Sequence, residues 1–124
     1  MIIGTAAQAA DLFAPLFTSD AEETVAVIHL DDDRRLLALT LEATGTHDEA
    51  ELPIGGIIAR ALRIGTRSIV VAHNHPSGNP EPSSADEAAT RALASAAAGV
   101  DIRLHDHLIF GGGDCRSFRS LGLL

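Results

Sequence analysis

The sequence predicts an α/β fold, a mixed β-sheet covered by helices, on three observations. Short β-branched apolar runs alternate with longer Ala- and Leu-rich runs, and clusters of turn residues punctuate the joins. Four Phe with no Tyr or Trp leave the core to aliphatic side chains. At 124 residues the chain reads as one domain, 1–124, large enough to bury roughly two-thirds of its unfolded surface without staples.

A first helix is expected over about Thr5 to Phe17. Strands follow at Thr24 to Leu30 and Arg35 to Ala43, and Asp32-Asp33-Arg34 between them suits a hairpin turn. A second helix covers about Pro53 to Ile64. Ser68 to Ala72 is a β-branched run long enough for a buried strand, and it carries on to His75. Pro76 cannot donate to a ladder, and Ser77-Gly78-Asn79-Pro80-Glu81-Pro82 is dense in turn residues, so the chain reverses there. A third helix, Ser84 to Ala98, is rich in Ala, Glu, Arg and Leu and meets a stop at Gly99. Strands near Ile102 to Leu104, His107 to Phe110 and Cys115 to Phe118 complete the chain, the last two joined by Gly111-Gly112-Gly113-Asp114. There is no internal repeat and no linker.

The lone cysteine, Cys115, excludes an internal disulfide and fits a reducing compartment. Met1 to Leu16 lacks a basic n-region and is broken by Asp11 and Pro15, so it does not read as a secretory signal. No apolar run approaches the ~18 residues of a membrane span. The expectation is a cytoplasmic protein with no membrane partner.

His73-Asn74-His75-Pro76, then Ser83 and Asp86, carries the chemistry. Side chains two apart on a strand share a face, so His73 and His75 project together and Asn74 points away. The turn then swings Asp86, in the first turn of the third helix, back against both imidazoles. Two imidazoles and a carboxylate are ligand types that zinc accepts, and three protein ligands leave a position for water, which marks a catalytic ion rather than a structural one. Zinc would bring the pKa of that water from about 15.7 to roughly 7. Ser83-x-x-Asp86 is also the pattern of a helix capping box, and the two roles can coexist. A zinc deaminase would require His-x-Glu with Pro-Cys-x-x-Cys, which one cysteine cannot supply. His105 and His107 would share a face of a regular strand, which leaves a second metal geometrically open there, although strand histidines are more often structural.

His73-Asn74-His75-Pro76-Ser77-Gly78 followed by Pro82-Ser83-x-x-Asp86 closely resembles the RadC family, a bacterial branch of the JAB/MPN (JAMM) metal-dependent hydrolases. Glu23 to Asp31 resembles the family's opening Glu plus strand, Asp106-His107-Leu108-Ile109 its Asp-His-hydrophobic strand, and Ser120 to Leu124 its Gly-Leu ending. The resemblance implies the three-layer α/β/α JAB/MPN fold, of the cytidine-deaminase-like class. It also implies one Zn2+ per chain held by His73, His75 and Asp86. Ser83 would then steady the metal water or the oxyanion, and Glu23 would serve as general base. Glu22, Glu42 and Glu51 remain alternatives for the base. The chain departs from the family at Leu52-Pro53-Ile54-Gly55, where members often carry a His-Pro-Arg-Glu-like segment, and it lacks the N-terminal helix-hairpin-helix region of longer members.

The function expected is a zinc-dependent hydrolase cleaving an amide or isopeptide bond, with a protein or peptide as substrate. A nucleic-acid module acting in DNA repair is the alternative that the family name suggests. A net charge of −8 and the scarcity of aromatics argue against it, and Arg60, Arg63 and Arg67 form the only modest basic cluster. A non-catalytic MPN scaffold is a second alternative, against which stands the complete ligand set. An acidic surface leaves room for protein partners, including a homodimer.

Overall fold

The computed structural model describes residues 1–18, 22–45 and 52–124. Thr5 caps the first helix, α1 (Ala6–Phe13), through a capping box with Gln8. The helix is shorter than the sequence suggests, because Pro15 has no N–H to continue it and the chain tightens into a 3-10 turn over Ala14–Leu16. Strands β1 (Glu23–Leu30) and β2 (Leu36–Gly45) form a hairpin. Asp31 builds its turn by accepting hydrogen bonds from Asp33 N and Arg35 N, with Arg34 at φ 61°.

Helix α2 (Ile54–Ile64) ends in a left-handed Gly65, and β3 (Ser68–Asn74) leads to α3 (Ser84–Ala98). The two strands expected after α3 are one, β4 (Arg103–Gly111), which turns through Gly112 and Gly113, both at positive φ, into β5 (Asp114–Ser117). The five strands form a mixed sheet in the order β2-β1-β3-β4-β5. Only β3 and β4 are parallel, because α3 carries the chain over the sheet between them.

Alternation along the strands splits the core into two layers. Val25, Val27, Ile69 and Val71 pack with Ile57, Ala61, Leu93 and Ala97 of α2 and α3. Ala26, Ile28, Leu30, Val70 and Ala72 pack with Ala9 and Phe13 of α1 on the opposite face. The result is the three-layer α/β/α architecture expected.

A bulge interrupts β4: Leu104 pairs with Ile69 and Asp106 with Val70, leaving His105 as the extra residue. Leu104 therefore lies on the α2/α3 face, whereas Leu108, an even number of residues later, lies on the α1 face. Sequence alternation placed His105 and His107 on one face, and the bulge separates them. The structure thus gives no support to a second metal site at these two histidines.

Candidate metal centre

His73 lies one residue from the end of β3, beneath α3, and is fully buried. His75 is just past the strand, where its N–H bonds to Phe110 O at 2.8 Å and so keeps the chain beside β4. The turn after Pro76 returns the chain to Ser83, the N-cap of α3. Asp86 N donates to Ser83 Oγ at 3.0 Å, and Ser83 N donates to Asp86 Oδ2 at 2.8 Å, so the capping box forms in full.

The cap aims the Asp86 carboxylate at the histidines. Oδ2 is 3.0 Å from His75 Nε2, and Oδ1 is 3.3 Å from His73 Nε2. One ligand atom from each of His73, His75 and Asp86 can be chosen so that all three lie within 4.8 Å of one another. The His75 ring faces its other nitrogen, Nδ1, to Asn79 O at 2.8 Å. A carbonyl only accepts, so Nδ1 donates there and Nε2 is left for a ligand role.

Burial opposes charge on Asp86, but the two imidazoles and the Ser83 N–H outweigh it and hold the carboxyl well below the usual carboxylate range. Burial pushes His73 down. The Asp86 contact pushes His75 up against burial, helped by Asn79 O and by the charges of Asp86 and Glu23. His73 Nε2 is buried and has no hydrogen-bond partner. A buried bare nitrogen, a second imidazole and a carboxylate converging on one point fit a metal ion.

Glu23 opens β1 and is only 6 % exposed, and its charge reaches His75. Two other glutamates are accounted for: Glu42 is held by Arg60 at 3.1 Å and by the Thr40 hydroxyl at 2.7 Å, and Glu22 is exposed. Glu51 lies outside the described residues. Asp106 turns to structural work, accepting from His107 N, Ser117 Oγ and Arg119 N. The arginines do not pool their charge, since Arg60 pairs with Glu42 and Arg67 with Asp32.

Three residues emerge that sequence reasoning passed over or left open. Asn74 does point away from the histidines, but its buried amide accepts from Thr24 N at 2.7 Å and donates to Glu22 O at 2.8 Å, bracketing Glu23. His107 Nε2 is 2.7 Å from His73 Nδ1, and His107 Nδ1 is 2.6 Å from Thr90 Oγ1. Burial keeps His107 far below its ordinary pKa. Thr90 was legible in principle, because four residues after Asp86 is the same face of a helix.

Among the described residues, no helix is long and apolar enough to cross a membrane. The chain is 42% identical over 112 residues to a UPF0758 protein of Xanthomonas axonopodis pv. citri (strain 306), an alignment covering 90% of this chain and 50% of the relative. A UPF0758 protein of Methylibium petroleiphilum is 43% identical over 106 residues, which is 86% of this chain and 48% of that one. The chain thus spans about half the length of the curated relatives it matches. The model of the RadC-like JAB domain matches residues 3–123, and with the His-His-Asp cluster in place the chain belongs to the RadC-like JAB domain family.

Proposed function

We propose that this domain is a zinc-dependent hydrolase that cleaves an amide or isopeptide bond in a protein or peptide. The observation that carries the reading is His73 Nε2, a buried nitrogen without a hydrogen-bond partner, converging with His75 Nε2 on the Asp86 carboxylate. The donor set is one that zinc accepts, with room for a water. Zinc held there supplies a Lewis acid and a water of lowered pKa. Glu23, bracketed by Asn74 and sensed by His75, takes the proton of the attacking water and passes it to the leaving amine. Ser83 Oγ already accepts from Asp86 N, so its own hydrogen is free to steady the developing oxyanion.

The test is zinc content by native mass spectrometry on protein purified without a metal-affinity tag, followed by a screen of peptide and isopeptide substrates. About one zinc per chain is expected, lost in His75→Ala. Glu23→Gln is expected to keep the metal and lose turnover. A wild type that takes up no metal after zinc addition overturns the reading, and full activity in Glu23→Gln removes that residue from the mechanism.

A further inference from the structure

Thr90 sits one helical turn after Asp86, buried against the site. Its hydroxyl has one hydrogen and two polar neighbours, Asp86 O at 2.7 Å and His107 Nδ1 at 2.6 Å. A carbonyl can only accept, so the Thr90 hydrogen goes to Asp86 O and the Thr90 oxygen accepts from His107 Nδ1–H. His107 and His73 are both fully buried side by side, an environment that disfavours charge on either ring. A neutral His107 with its hydrogen on Nδ1 has a bare Nε2, and that atom lies 2.7 Å from His73 Nδ1. His73 must then donate from Nδ1. Its own Nε2 is left bare, the same atom that lacks a hydrogen-bond partner and faces Asp86 Oδ1.

The reverse wiring fails at the Thr90 end. It would leave Thr90 Oγ1 and Asp86 O 2.7 Å apart in a buried site with no hydrogen between them. At the other end it would put a hydrogen on His73 Nε2, which faces Asp86 Oδ1 only across a long 3.3 Å.

We propose that Thr90 and His107 are positioning residues that lock His73 in its Nδ1–H tautomer, turning the Nε2 lone pair toward the ligand position in advance of any ion. The purpose of the lock rests on the metal-site reading above, but the wiring itself does not. Asp86 has two parts in it: its carboxylate faces the imidazoles, and its main-chain carbonyl ends the relay.

Long-range 1H–15N spectra of the histidine rings, recorded on the metal-free full chain, test the wiring directly. Both His73 and His107 are expected to carry hydrogen on Nδ1, and a hydrogen on Nε2 of either ring overturns the proposal. Thr90→Val removes the hydroxyl at nearly constant shape, and zinc affinity by chelator competition is expected to fall roughly ten- to hundredfold, with Thr90→Ser restoring it. Unchanged affinity in a Thr90→Val protein with a native amide spectrum also overturns it. Should Thr90→Val not fold, the wild-type ring spectra decide alone. Nδ1 hydrogens on both rings with no zinc bound by the wild type would uphold the wiring and remove the metal-site reading.

Discussion

Asn74 works through its side-chain amide rather than its place in the ladder. Backbone pairing of β1 with β3 runs only as far as Val25 and His73, and beyond it the Asn74 amide takes over the role of a peptide group. Asn74→Ala would leave Thr24 N and Glu22 O without partners, at a cost of about 1–3 kcal/mol each where water cannot reach them. Glu23 would then lose its fixed start of strand. We expect turnover to fall ten- to hundredfold with zinc content unchanged, since small misplacements of a reacting group cost about that much. Equal kcat in wild type and variant would show that Glu23 is held by other means. The His73-His75-Asp86 cluster was legible because strand period, a proline-forced turn and a helix start all point the same way. The task of Asn74 was not legible, since alternation gives the face of a side chain and not what waits on it.

At the scale of elements, the segment that carries His75 is shaped by the β4–β5 hairpin as much as by its own prolines. The hairpin lies so close that a Cβ built on Gly111 would come within 3.0 Å of Pro80 N, and one on Gly112 within 2.6 Å of Gly78 O. These are main-chain atoms, so the loop itself would have to move. Gly112 also sits at φ 58°, where a side chain costs roughly a further 1 kcal/mol. Gly112→Ala is therefore expected to weaken zinc binding by displacing Gly78, whose N–H bonds His75 O at 3.0 Å. Circular dichroism should show the fold kept, and chelator competition should show the affinity lost. The sequence marked these glycines as a turn, and the two-residue hairpin bears that out. Their contact with a loop some thirty residues earlier in sequence is a tertiary fact that no local pattern encodes.

For the whole molecule, the site joins the two kinds of element that make the fold. His73 comes from β3 and Asp86 from α3, and α3 is the cover over the parallel β3–β4 pair. An ion bound only by the folded chain adds about 2.7 kcal/mol at a hundred times its dissociation constant. For a domain of this size that corresponds to a rise in Tm on the order of 10 °C. Differential scanning calorimetry with zinc and then with EDTA should show the rise and its reversal, and His75→Ala should show neither. Layers and most strand positions were readable from alternation and turn chemistry. The bulge in β4 was not, and it made one strand of what looked like two. Its consequence reaches the chemistry: below His105 the strand feeds the core under α2 and α3, and above it the phase is shifted by one, so that His107 rather than Asp106 meets Thr90 and His73. Removing the extra residue, His105, would join Leu104 to Asp106 in an unbroken ladder and leave His107 on its face, whereas the full sequence paired without the bulge would present Asp106 where the imidazole belongs.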